Sequence, residues 1–599
     1  MSLEFPETLA ELFLNAKEKQ NRPDALNYKK DGEWKAISSD EMFSRAENIA
    51  LGLYQNGIRK GDKVSILSAN SPNWTITDAA CQISGLIDVP IYTTLTPDSI
   101  EYIINDSEAK VFFLENLATY KRIAEIIPNC QSIEKIVFFE GESNEIENAI
   151  SLSELEEIGA KLKAEKPSLA EELRNEVKPS DVATLIYTSG TTGEPKGVML
   201  THTNLVSNAE YAGKDFIFSK ADKPLSVLPL SHVFERTGMY LYILHGMSVY
   251  YAESIEKVPE NLAEVRPTIF VGVPRLFEKV YSKARLKASQ ESRVKEAIFD
   301  WAIEVAKEYS QTISRKEEIS YVLSLKYKLS DKIVFSKFRR FFGGNLRFCI
   351  TGGAAISDDI YLIFTGSGVP IMQGYGLTET SPVISTNTPN ASKIGTVGKP
   401  IESVQVRLAA DGEIETKSPC VMLGYYKKEQ ATKEVFSDDG WFKTGDIGTI
   451  DEEGFLKITD RKKELFKTSG GKYIAPSPIE QMIKASQYVN QVVLIGNNRK
   501  FAAALIVPDF DFLESFAKYE GLNLKNPDEF CTNDAIIKTI YEDVQKLTKD
   551  LAKFESVKKI ALLDKELTVE SGELTPTLKI KRRIIDEKFK HIIDDLYEE

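Results

Sequence analysis

A chain of 599 residues is too long for one ordinary domain, and 42% hydrophobic with 27% charged residues is the composition of a folded globular protein. A formal charge of −14 disfavours nucleic acid as a partner, and the absence of any 18-residue apolar run argues against a membrane span. Five scattered cysteines (Cys81, Cys130, Cys349, Cys420, Cys531) without a Cys-x-x-Cys pair fit a reducing compartment and no zinc site. The first residues show no basic segment followed by an apolar core, so no secretory signal is expected and the cytoplasm is the expected location.

Lys63 to Leu67 reads as a buried strand, followed by a helix opening near Ser71-Pro72, a strand at Val89 to Tyr92, a helix capped by Thr96 with Pro97 first, and a strand at Ala109 to Leu114. Strand and helix alternating predict an α/β fold with mostly parallel sheets covered by helices. The stretch from Glu140 to Lys178, rich in Glu, Lys and Ser, reads as a solvated helical surface. It leads into Tyr187-Thr188-Ser189-Gly190-Thr191-Thr192-Gly193-Glu194-Pro195-Lys196-Gly197, a small-residue loop between two apolar runs. Glycines let backbone approach an anion, the hydroxyls of Thr188, Ser189, Thr191 and Thr192 can donate, and Lys196 adds a positive charge. A Walker A loop would end Gly-Lys-Ser/Thr and open a helix; Pro195-Lys196-Gly197 argues against one. A tight hairpin with solvated hydroxyls is the alternative.

Beyond it, Leu230-Ser231-His232-Val233-Phe234-Glu235-Arg236 precedes an apolar helix through Met239, and Val271-Gly272-Val273-Pro274-Arg275 opens a long helical region to about Phe342. A lone histidine is more often structural than functional. From Arg275 to Arg340 there are 16 Lys/Arg against 9 Asp/Glu. Such a stretch is either a solvated helical face or a contact with anionic lipid headgroups. Thr351-Gly352-Gly353-Ala354 follows a strand, and small residues there let a flat ring slide against backbone. In Gln373-Gly374-Tyr375-Gly376-Leu377-Thr378-Glu379-Thr380, Tyr375 offers an aromatic face, Thr378 a hydroxyl and Glu379 a hard oxygen ligand suited to magnesium. Asp446 can accept hydrogen bonds from a vicinal diol. Asp460-Arg461-Lys462-Lys463-Glu464 is a charged turn, Gly470-Gly471 permits close backbone approach, and Ser477 with Pro478 reads as a helix start. Near the end stand Lys579, Lys581, Arg582 and Arg583.

The loop at 187–197, with the segments after it, resembles the AMP-forming adenylating enzymes, the superfamily of acyl-CoA synthetases, luciferases and peptide-synthetase adenylation domains. The Val-Pro-Arg-Leu-Phe-Glu-Lys entry at Val273 resembles the long-chain fatty acyl-CoA synthetase branch. The resemblance implies a large N-terminal adenylation domain of several subdomains at 1–459 and a small mobile α+β domain at 460–599, hinged at Asp460. It implies ATP, Mg2+, CoA and a fatty acid as ligands. Thr188, Ser189, Gly190, Thr191, Thr192 and Lys196 would hold phosphates. Gly353, Ala354, Tyr375 and Gly376 would face adenine, Thr378 a phosphate, and Asp446 with Arg461 the ribose.

By the same resemblance Glu379 holds the metal, His232 lies beside the bound carboxylate, and Lys579 is the catalytic lysine, Lys581 being the alternative. Ser469, Gly470 and Gly471 would border the CoA arm. His232, Val233, Met239, Val271 and Val273 would line the acyl tunnel. Some relatives place a gating Trp four residues after the histidine; here that residue is Arg236. Leu578 stands where a glycine commonly precedes the lysine. A carrier-protein acceptor, a medium-chain or aryl acid, a luciferase-like oxidase and an inactive lipid- or nucleotide-binding relative stay open as alternatives, and monomer and homodimer are both compatible. Peripheral contact at the inner membrane face is the expectation attached to the basic stretch.

Overall fold

The computed structural model describes residues 5–141, 146–188, 194–462, 464–470, 472–522, 524, 526–575 and 579–598. Two large sheets carry the N-terminal part. One runs through nine strands in the order Lys399–Pro400, Val383–Thr386, Ile371–Gly376, Phe348–Thr351, Ile269–Gly272, Pro224–Ser226, Val249–Tyr251, Leu26–Lys30 and Glu33–Ile37. Its central strands are parallel. The other has eight strands and is parallel from Ile87–Pro90 across Lys63–Leu67, Val111–Leu114 and Lys135–Phe138. Every residue of Val111–Leu114 is buried, the pattern of a strand covered on both faces. The parallel α/β reading therefore holds.

Local signals act as the sequence suggests at Ser71, whose hydroxyl accepts from Trp74 N–H with Pro72 at the first helical position. They fail in two places. The helix expected to be capped by Ser477 starts at Pro476 behind Ala475, so Ser477 lies inside it. The stretch at 140–178 carries helices Leu152–Glu165 and Leu169–Asn175 but is not simply solvated. Helix Leu152–Glu165 buries Leu155 and Leu162 against helix Ser39–Gln55. A Cβ at Gly159 would stand 1.7 Å from the Asn48 carbonyl oxygen, so glycine is what permits that approach.

The long helical region breaks into Pro274–Glu291, Arg293–Ser314 and Tyr321–Ser330 before a short tail of helix. A four-stranded antiparallel sheet, ending in Phe442–Ile450 and Leu456–Arg461, leads to the C-terminal part. There Val489–Ile495, Ala502–Pro508 and Val557–Leu562 form a three-stranded sheet with helices around it and their own apolar clusters. It meets the larger part where Arg275 approaches Asn490 at 3.4 Å and Glu566 at 3.9 Å.

Candidate active site

The carboxyl ends of the parallel strands deliver the polar residues to one region, as expected for ligand sites of α/β sheets. Strand Val182–Thr188 pairs antiparallel with Lys196–Thr201, Thr188 facing Lys196 across the mouth of the loop. No helix follows Pro195, as the sequence reading required. Ser189, Gly190, Thr191 and Thr192 lie outside the described residues, as does Gly471.

Next to Lys196–Thr201 lies the short strand Gly424–Tyr425. Its Tyr425 was not identified in the sequence, because its place comes from this pairing and not from local spacing. The Lys196 ammonium sits 5.0 Å from the Tyr425 ring centroid, and the Tyr425 hydroxyl donates to Glu379 Oε1 at 2.8 Å. Burial and the neighbouring Glu379 hold the phenol proton firmly. Glu379 lies on the single turn Thr378–Thr380 beyond strand Ile371–Gly376. Thr378 and Glu379 are both half-buried. A Cβ on Gly376 would lie 1.8 Å from Pro382 O, so that strand end needs glycine to fold back on itself.

Tyr375 donates its hydroxyl to Asp446 Oδ2 at 2.7 Å, and Arg461 Nε donates to Asp446 Oδ1 at 2.9 Å. Asp446 and Arg461 face one another across the antiparallel pair. The carboxylate is thus oriented by two donors and keeps lone pairs for further hydroxyls. Gly353 (φ +79°) and Ala354 are exposed, with open space where a Gly353 Cβ would stand.

His232 has two roles. It caps helix Val233–Leu244, its Nδ1 accepting from Phe234 N–H at 3.0 Å, which leaves the proton on Nε2. Burial, and then the charge of Lys579, lower its pKa to about 4, so the ring is neutral at physiological pH. Val233, Met239 and Val271 share one buried apolar cluster below it, while Val273 is the residue preceding helix Pro274–Glu291.

Lys579 enters from the C-terminal part. Leu574 and Ile580 bridge as antiparallel neighbours, Thr575 N–H donates to Lys579 O at 2.8 Å, and Lys579 N–H returns a bond to Thr575 Oγ1 at 3.0 Å. Lys579 remains accessible to solvent, yet enough protein surrounds the ammonium to make charging it costly. That desolvation, with the Arg461 guanidinium second, lowers its pKa to about 8 against the opposing pull of Asp446, Glu379 and Glu464. The charge of Lys579 reaches His232, Asp446 and Glu379. Arg582, three residues on, is clamped to Glu480 at 2.9 and 3.0 Å and to Leu494 O at 3.0 Å, fixing the base of this loop.

Asp460 is buried beside Arg461, whose N–H it accepts at 2.6 Å, and among the described residues its Oδ2 has no partner; burial raises its pKa to about 6. Ser469 and Gly470 are exposed on a loop where Ser469 N–H donates to Arg499 O within the C-terminal part. Arg236 fills no gate. It is wholly buried and ion-paired with Asp78 (2.6 Å) and Asp88, and it donates to Thr184 Oγ1 (2.9 Å) on the strand that leads to the phosphate loop.

Among the described residues no cluster of three or more His, Cys, Asp or Glu could cage a metal. A single carboxylate with phosphate oxygens is, however, how magnesium is commonly held. Glu379 fits that role: Tyr425 orients one oxygen, and no donor among the described residues reaches the other.

The AMP-binding enzyme family model matches residues 14–426, and that of the AMP-binding enzyme C-terminal domain matches 464–599. The long-chain-fatty-acid-CoA ligase FadD15 of Mycobacterium bovis is 36% identical over 96% of this chain and 95% of its own length. The peroxisomal long chain acyl-CoA synthetase 6 of Arabidopsis thaliana is 32% identical over 95% of this chain and 82% of its own. In fold, the chain is similar to the adenylation domain of a carboxylate reductase from Mycobacterium chelonae (TM-score 0.75, 22% identity, 98% and 91% covered).

Proposed function

The chain belongs to the AMP-binding enzyme family, and from that membership we propose that it activates a long-chain fatty acid with ATP and passes the acyl group to CoA. The observation that supports this reading is that the charge of Lys579, on the C-terminal part, reaches Glu379, Asp446 and His232 on the larger part.

A carboxylate does not acylate a thiol, because oxide is its leaving group. Attack of the carboxylate on the α-phosphorus of ATP expels pyrophosphate and gives an acyl adenylate, whose leaving group is AMP. Lys579 holds the carboxylate and α-phosphate oxygens together, and His232 offers Nε2–H beside them. Lys196 and the Thr188–Thr192 loop hold the outer phosphates. Tyr375 and Gly353 border adenine, and Asp446 with Arg461 the ribose. Glu379 would hold magnesium, which supplies charge neutralisation on the phosphates. The apolar cluster of Val233, Met239 and Val271 is the wall along which the acyl chain runs, each buried methylene contributing about 0.8 kcal/mol.

Residues 1–459 act as the adenylation domain and 460–599 as a mobile domain turning about Asp460. After adenylation that turn withdraws Lys579 and brings the Ser469–Gly471 segment to the site, where CoA sulfur attacks the acyl carbon and AMP departs. An arrangement with Lys579 turned toward the site serves the first step. Among the described residues no helix is long and apolar enough to cross a membrane. We place the enzyme in the cytoplasm, with the basic helical stretch touching the inner membrane surface.

The test is pyrophosphate release with palmitate and ATP, followed by thioester formation with CoA. Palmitate-dependent pyrophosphate release with the acyl group passing only to a carrier protein would reassign the acceptor, and release with aryl acids alone would reassign the substrate.

A further inference from the structure

Helix Tyr321–Ser330 keeps one face against the protein and leaves the other uncovered. Leu323 is 3% exposed, and the Tyr327 ring stacks on Tyr309 with centroids 3.8 Å apart, so the helix is fixed in place. On its outer side Tyr321 is 78% exposed, Val322 60%, Leu325 49% and Leu329 52%. Positions 322, 325 and 329 follow helical spacing and form a stripe, with Tyr321 at its edge. Four large apolar side chains on one face are not the scattered exposure that any surface shows. Lys326, Lys328 and Lys332 flank the stripe, and among the described residues none of the three is held in an ion pair.

The neighbouring helix Arg293–Ser314 adds a second apolar feature, a groove of about 360 Å³ lined by Arg293, Val294, Ala297, Ile298 and Trp301. Both features lie in the one region, Arg275 to Arg340, where basic residues outnumber acidic ones 16 to 9 in a chain of net charge −14.

We propose that the stripe on Tyr321–Ser330, with its lysines, is the face that docks on an anionic lipid bilayer, Val322, Leu325 and Leu329 entering the headgroup boundary. This rests on the membrane contact read above and names its residues and its partner. Charge decides among occupants. A two-fold interface between copies would press this basic face against itself. A nucleic acid has phosphates for the lysines but nothing to cover the apolar stripe. A leaflet containing acidic phospholipid satisfies both, with apolar area buried and lysines at the level of the headgroups.

The experiment is co-sedimentation of the full chain with vesicles of phosphatidylcholine alone and of phosphatidylcholine with phosphatidylglycerol, at low and moderate salt. The expected result is binding to the acidic vesicles only, weakened by salt. It should weaken by about tenfold or more both in Leu325→Asp/Leu329→Asp and in Lys326→Gln/Lys328→Gln/Lys332→Gln. Pyrophosphate release on a short, water-soluble acid should match wild type in both variants, which shows that they fold. Equal binding to both vesicle types, or variants that sediment like wild type, would overturn the proposal. So would sedimentation velocity in which Leu325→Asp/Leu329→Asp dissolves a dimer, since the face would then belong to a second copy. Binding to acidic vesicles without pyrophosphate release on any acid would strike the enzymatic reading and still support the docking face.

Discussion

Tyr425 donates its hydroxyl to Glu379 at 2.8 Å, while the Lys196 ammonium sits over the same ring, 5.0 Å from its centroid. One phenol thus ties the candidate metal ligand to the candidate phosphate lysine. A hydrogen bond that orients a metal ligand typically controls metal affinity by roughly 10–100-fold. Tyr425→Phe should raise the Mg2+ concentration for half-maximal pyrophosphate release by about tenfold and leave the KM for fatty acid near wild type. An unchanged magnesium dependence would remove Tyr425 from this role.

Lys579 supplies a pH signature. Its pKa near 8 lies below that of a solvated lysine, so the charged form dominates below pH 8 and is lost above it. The kcat/KM for adenylation should therefore be level on the acid side of 8 and fall about tenfold per pH unit beyond it, since kcat/KM reports the free enzyme. Lys579→Arg should move that alkaline limb out of range while retaining some activity. Lys581→Gln should leave it where it is. A limb that follows Lys581 would exchange the two assignments.

His232 can be split into its two roles. His232→Ala removes the acceptor for Phe234 N–H and should cost about 1 kcal/mol of stability, the usual magnitude for a lost N-cap. His232→Asn restores a capping oxygen and should unfold close to wild type in urea. Both should raise the KM for fatty acid. If Asn restored activity as well as stability, the histidine would be a cap and nothing more.

Arg236 is an energetic commitment of the core. Removing its guanidinium strands Asp78 and Asp88 in the interior, and Arg236→Met should lose roughly 3–5 kcal/mol in urea unfolding. Adding Asp78→Asn and Asp88→Asn to it should recover most of that loss. A single variant as stable as wild type would contradict the charge pairing.

Asp460 titrates oppositely to a paired carboxylate. Burial raises its folded pKa to about 6, above the 3.8 of a solvated aspartate, so its contribution to stability is full below about pH 4 and is lost as pH rises through 6. Asp460→Asn should flatten the fall of the urea midpoint across that window. An identical pH slope in the two proteins would show that Asp460 is not desolvated.

The legibility of this chain followed the range of the forces involved. The strand at Val111–Leu114, the Ser71-Pro72 helix start and the apolar strand that follows the 187–197 loop were readable because propensity and capping act within a few residues, although that strand begins earlier than expected, at Lys196. Glu379 and Asp446 stand in motifs visible in the sequence, and the structure ties each to a tyrosine hydroxyl. Tyr425 was not visible there, since only the pairing of Gly424–Tyr425 with Lys196–Thr201 brings it to Glu379. Nor was the pairing of Arg236 with Asp78 and Asp88, whose partners lie some 150 residues upstream. The start at Pro476 behind Ala475, instead of at Pro478 behind Ser477, is a smaller miss: both prolines suit a first helical position and the earlier one is used.

The central claim is that Lys579 serves the adenylation step and leaves before thiol attack. Wild type and Lys579→Ala should be compared in the two half-reactions separately, pyrophosphate release from palmitate and ATP, and thioester formation from CoA and preformed palmitoyl adenylate. The account predicts that the first falls by a factor on the order of 100 to 1,000 while the second stays near wild type. Equal loss in both half-reactions would contradict it.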